Sequence, residues 1–163
     1  MKRVLRHLFS DQLSARRAFP AAVMAAIKGA VARGEKRHDG ELRFAVEASL
    51  PLSYVLSGKS ARDRAVDTFA QLRVWDTEHN SGVLIYVLLA DRRVEIVADR
   101  GINAKVEDGA WNSICAQMQQ AFGAGRFEAG AVAGVVAISD LLAQHFPAQS
   151  SNPNELPDEP VVL

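Results

Sequence analysis

The sequence predicts an α/β fold: a three-layer α/β/α sandwich around a small mixed sheet that contains an antiparallel hairpin. Three observations carry this. Residues 83–90 are an uncharged apolar run, as expected of a strand covered on both faces. Asp91-Arg92-Arg93 is too short for a helical crossover, and Val94, Ile96 and Ala98 then alternate with more polar positions, which makes the next strand antiparallel to the first. Segments with apolar residues at three-to-four spacing lie on both sides of this hairpin in the chain and supply the helical layers.

The first amphipathic helix is expected to begin at Pro20, to bury Val23, Ile27, Ala30 and Val31, and to end at Gly34. A charged turn over residues 35–40 leads into a strand in which Leu42, Phe44, Val46 and Ala48 alternate with Arg43, Ala45, Glu47 and Ser49, so one face of it should be wetter. Ser60 and Asp63 form a capping box for a helix over residues 61–73, with Ala61, Ala65, Val66, Phe69 and Leu72 on one face. After the hairpin, Asp108 is placed to cap a helix carrying Trp111, Ile114, Cys115, Met118 and Phe122, and Gly123 and Gly125 end it. A last helix over residues 127–144 should bury Val132, Val135, Val136, Ile138, Leu141 and Leu142. The domain therefore spans residues 20–146, preceded by a basic segment over 1–19. Residues 147–163, rich in proline and acid and poor in large apolar side chains, are expected to be disordered.

Composition narrows the function. The 163 residues are 48 % hydrophobic and 23 % charged, as in a globular domain with one ordinary core. Basic and acidic residues number 19 each, which lacks the basic excess of a nucleic-acid binder. Charge is nevertheless uneven, because residues 1–43 hold ten Lys and Arg against four acids. A solvated helix face accounts for that surplus, and an anionic membrane surface or an acidic partner is the other reading. No stretch of about 18 consecutive apolar residues predicts a membrane span, and no export signal opens the chain, so a cytoplasmic location is expected. The lone Cys115 sits in a helical apolar pattern and reads as a small core residue.

Gly58-Lys59-Ser60 lies between a strand and a helix, where a phosphate loop would place its lysine and hydroxyl, but the position five residues before Gly58 is Ser53 and bulky Tyr54-Val55-Leu56 intervenes. A plain helix start is the better reading. The histidines at 7, 38, 79 and 145 show no zinc spacing and are expected at the surface, and no serine occupies a nucleophile elbow. Acids near strand ends are the remaining candidates, since a hard cation needs several converging oxygens. They are Glu78 before the central strand, Asp91 after it, Asp99 at the end of the hairpin and Asp108 at a helix start. Each also has an ordinary structural role: Asp91 as a turn residue, Asp99 as an ion partner of Arg100, and Asp108 as a cap.

The segment from Asn80 to Ile96 resembles the TPM domain family, with Gly82, Val83, Leu84, Asp91, Arg92, Val94, Ile96, Gly101 and Asp108 at matching places without a gap. Gly125-Arg126-Phe127-Glu128-Ala129-Gly130 resembles the family's Gly-x-Tyr-x-x-Gly before its final helix, so the similarity covers residues 40–146. The chain departs from the family pattern at Asp99-Arg100, Asn103-Ala104 and Glu107. The resemblance implies a three-layer α/β/α fold, calcium binding and, as in plant members, weak acid phosphatase activity. Two functional expectations result. One is an interaction or regulatory domain without evident catalytic machinery, working with a membrane-anchored protein partner at the inner face of a membrane. The other is a weak metal-dependent phosphatase in which Asp91 and Asp108, with Asp99 or Glu78, hold a calcium ion that polarises a phosphoryl oxygen.

Overall fold

The structure, a computed structural model, describes residues 2–10, 12–149 and 153–163. Two helices, α1 (Lys2–Phe9) and α2 (Gln12–Ala18), precede the expected first one, α3 (Ala21–Glu35). Strand β1 (Glu41–Glu47) follows, then α4 (Leu52–Leu56) and α5 (Ala61–Gln71), the hairpin β2 (Gly82–Leu88) and β3 (Arg93–Ala98), the short α6 (Arg100–Asn103), α7 (Asp108–Gly123), α8 (Phe127–His145) and β4 (Val161–Val162). The sheet order is β3-β2-β1-β4. β1 lies parallel to both β2 and β4, and β2 and β3 are antiparallel, which makes the sheet mixed, as the hairpin reading required.

Two apolar cores sandwich this sheet. On one face Leu42, Phe44, Val46, Val83, Ile85, Val87, Val94 and Ile96 meet Phe19 and the buried stripes of α3, α7 and α8, including Ile27, Trp111, Met118 and Ile138. On the other, Ala45, Leu84, Tyr86, Leu88 and Val97 meet Leu50, Val55, Ala61, Ala65 and Val74 from the β1 to β2 crossover. Every residue of β1 and of β2 is buried. The expected wetter face of β1 is therefore covered, and its charges survive burial because they are partnered: Glu47 accepts two hydrogen bonds from Arg64 at 2.9 Å each and a third from the Tyr86 hydroxyl. Burial and the Glu47 charge raise the Tyr86 hydroxyl pKa well above its ordinary value.

Several local expectations need correction. Phe19 and Ala15 belong to the core, so the packed domain begins before residue 20. Val66 and Val136 lie on solvent sides of α5 and α8 because the sheet and neighbouring helices claim narrower stripes than the helical pattern offered. Glu107, not Asp108, occupies the cap position of α7 and makes no side-chain cap bond. His7 and His38 are buried, not superficial. The 147–163 tail is ordered over residues 153–163: β4 pairs with β1, Leu156 is buried, and Leu156 N–H donates to Glu41 at 3.0 Å, while positions 150–152 lie outside the described residues. Contacts of Leu156, Val161 and Leu163 with the second core offset an ordering cost that composition alone made prohibitive.

Other readings hold. The capping box of Ser60 and Asp63 is formed in both directions, and Gly58, at φ 74°, follows the end of α4. Gly82 has a packing reason: a Cβ there would stand 1.9 Å from the Val74 carbonyl oxygen. Cys115 is half-buried, and burial pushes its thiol up to about 11. Among the described residues α8 is the one helix long and apolar enough to cross a membrane, and here it packs on α3 and α7 through residues such as Ala131, Val135 and Leu142.

Candidate functional site

The C-terminal ends of β1 and β2 point to one corner of the molecule, the position at which α/β sheets tend to bind ligands. Asp91 stands there, in the turn that follows β2. Arg92 beside it takes φ 53°, a left-handed conformation that is uncommon outside glycine, and closes the four-residue link, residues 89–92, that reverses the chain between β2 and β3. The N-terminal helix closes over this corner. Arg3 donates to Asp91 from Nε at 3.1 Å and Nη2 at 3.0 Å, a fork on one carboxylate, and also to the Lys59 carbonyl at 2.8 Å. His7 Nε2 lies 3.1 Å from Asp91 Oδ1, while its Nδ1 accepts from Leu50 N–H at 2.9 Å.

That geometry decides what His7 can do. A ring nitrogen that accepts a backbone N–H carries no proton, so the proton sits on Nε2 and faces Asp91. Both nitrogens are thereby committed, and His7 has none left to activate a nucleophile. Burial pushes the Asp91 carboxyl up, but the Arg3 hydrogen bonds and positive charge, together with the His7 ring beside it, outweigh it and hold the carboxyl below the usual range. The corner is a closed ion-pair lock.

Beside it lies a concavity lined by Arg3, Arg6, Arg62 and Arg93, with Asp91 and Glu95 as its acids. It borders an apolar surface. Leu5 and Leu8 of α1, Leu13 of α2, and Leu52 and Leu56 of α4 are each 47–70 % exposed, and α1 packs directly on α4. Arg16 and Arg17 are exposed on α2 and Lys59 after α4. These helices and the turn after α4 therefore expose both leucines and basic side chains to solvent.

The four carboxylates expected to share a cation are not brought together. Asp91 follows the end of β2, whereas Asp99 follows the end of β3, so the six residues of β3 separate them by roughly 20 Å. Asp99 accepts from Arg100 N–H at 2.7 Å as the N-cap of α6, instead of pairing with the Arg100 guanidinium. Glu78 is exposed in the loop before β2, where its N–H donates to Glu155 of the C-terminal segment at 2.9 Å. Asp108 is exposed in a separate concavity with Asn103, Asn112 and Cys115. Among the described residues no three His, Cys, Asp or Glu side chains form a metal-ligating group, so these residues do not fit a calcium site.

Arg3 and His7 are the residues that sequence reasoning missed. The available signal was their i, i+4 spacing, which puts both on one side of a helix. Nothing local told that side to face Asp91, 88 residues away from Arg3.

Comparison with known proteins agrees with the architecture. The TPM domain family model matches residues 15–141. The BA42 protein of the psychrophilic bacterium Bizionia argentinensis, solved by NMR, is 32 % identical, with a TM-score of 0.77 over 87 % of this chain and 93 % of that one. The N-terminal domain of a P. gingivalis protein shares the fold at 19 % identity, with a TM-score of 0.61 over 79 % and 81 % of the two chains. No curated protein is significantly similar to the chain.

Proposed function

Because the chain belongs to the TPM domain family, we propose that it serves as an interaction domain whose N-terminal helices dock on an anionic membrane face and present it to a membrane-anchored protein partner there. The observation that carries this reading is that α1, α2 and α4 expose five leucines while Arg6, Arg16 and Arg17 on the first two, and Lys59 after the third, are exposed as well. Leucines at that exposure bury apolar area when they enter the acyl boundary, and each Lys or Arg held near an anionic surface adds about 1 kcal/mol. Neither term alone gives firm attachment. Together they do, provided that the basic residues and the leucines face the membrane at once.

A metal-dependent phosphatase role would require Asp91 to exchange Arg3 and His7 for a cation, and the other carboxylate of that concavity, Glu95, is paired with Arg62. The interaction reading asks for no such rearrangement. Its test is sedimentation with vesicles of zwitterionic lipid alone or with anionic lipid added. The protein should pellet with the anionic vesicles, release as salt rises, and lose most of its binding in the Leu5→Ser/Leu8→Ser variant. Equal partition onto both vesicle types, or none onto either, would remove the membrane from the proposal.

A further inference from the structure

A further concavity, of about 410 Å³, opens where α2, the turn end of the hairpin and the C-terminal end of α7 meet. That volume is within the range of small-molecule sites. Its walls are apolar: Val87 and Leu89 of the hairpin, Ala18 of α2, and Phe122 and Phe127. The two phenylalanines stack with centroids 5.4 Å apart and both edge onto Phe19, which gives the wall a rigid aromatic backing.

The rim has the opposite character, and it is rich in donors. Arg92 and Arg93 line it, both exposed; among the described residues Arg92 forms no ion pair, while Arg93 also borders the concavity that holds Glu95 and acts on that carboxyl through its charge. The adjacent acid, Asp91, is spent on Arg3 and His7 and does not neutralise Arg92. Gln119 uses its side-chain oxygen to accept from Val94 N–H at 2.9 Å, so its NH2 end is the group left for a ligand. Ser10 and Ser14 line the α2 side of the rim.

From this we infer that the concavity is a binding site for a small amphipathic anion, its apolar chain lying against Phe122, Phe127 and Leu89 and its single carboxylate or phosphate head held by Arg92 and Arg93. Guanidinium forks suit either head group, and an apolar body excludes inorganic anions by offering them nothing but the rim. The site stands on residues other than the exposed leucines, so it does not depend on membrane docking.

Gly123 supplies a clean test. It lines the concavity at the end of α7, and a Cβ built on it meets nothing within 4 Å, so a larger side chain there enters open space without a clash in the helix. Octanoate, kept below micellar concentration, is the probe for calorimetric and NMR titration of the full chain. Saturable binding is expected, with shifts at residues 87–93 and 119–127. Octanol should bind roughly tenfold more weakly, as should octanoate to the Arg92→Gln/Arg93→Gln variant, and phosphate alone should not saturate. Gly123→Leu should abolish octanoate binding while retaining vesicle binding, and Leu5→Ser/Leu8→Ser should do the reverse, so the two proposals fail separately. If octanoate and octanol bind alike to the wild type and the double-arginine variant, or if octanoate does not saturate, the inference is overturned. Should Gly123→Leu fail to fold, the arginine variant decides alone.

Discussion

The N-terminal helix and the C-terminal segment close the same face of the sheet, and they do it with opposite electrostatics. Val4 of α1 and Leu156, Val161 and Leu163 of the C-terminal segment all join the core on the α5 side. At the α1 end a carboxylate meets the Arg3 guanidinium and a His7 ring nitrogen, both on Asp91. At the other end carboxyls meet one another. Glu35 and Glu41 face Asp158, with Arg43 reaching past them to the carbonyls of Pro157 and Glu159. Burial, then the charges of Glu41 and Asp158, push the Glu35 carboxyl up to about 9, so near neutrality it is protonated and can share a hydrogen bond with Asp158. The difference teaches that two straps with similar apolar anchors can respond to pH in opposite directions. Asp91 has a depressed pKa, so its contribution is present above the ordinary carboxylate range and is lost as pH falls. Glu35 has a raised one, so its contribution is full below about 4.5 and declines as pH rises toward about 9.

The largest expected effect is a control on the face that neither strap touches. Trp111 is buried against the other core, and Trp111→Ala should cost about 3–5 kcal/mol in chemical denaturation while leaving amide exchange in α1 and in residues 153–163 at its wild-type ranking. Selective exposure of either strap in that variant would mean the two faces are coupled more tightly than the comparison allows. Next comes Leu156→Ala, expected to cost about 2 kcal/mol and to speed exchange at Val162 and Leu163 without touching α1. The pH claim is sharpened by Glu35→Gln. Melting of the wild type should fall between pH 5 and 8, and the neutral amide should flatten that slope; parallel slopes would place the titrating group elsewhere. Asp91→Asn is the smallest, at about 1 kcal/mol near neutral pH, because the Arg3 side of the lock is partly solvated. It should loosen α1 in hydrogen exchange and remove the acid-side loss. Calcium titrated into the same pair of proteins should give no heat that depends on residue 91.

Periodicity and turn chemistry in the sequence were enough for the architecture. The uncharged run before Asp91, the short Asp-Arg-Arg link and the helical stripes each reflect a local rule, and β2, the hairpin, α3, α5, α7 and α8 appear where those rules put them. The TPM domain resemblance was legible for the same reason, since it rests on contiguous residues around Gly82 and Asp91. Tertiary structure alone decided the site. Strand alternation could mark Arg43 and Glu47 as polar, but not that Arg64, Tyr86 and the C-terminal carbonyls would pay for their burial. Composition could mark residues 153–163 as poor in apolar side chains, but not that the edge of β1 would accept them. Nor could spacing along the chain show that Asp91 and Asp99 stand at opposite ends of a strand, or that Arg3 and His7 would claim Asp91 first. Local propensity is written in neighbouring residues, whereas a charge acquires its partner only when distant segments are brought within hydrogen-bond reach.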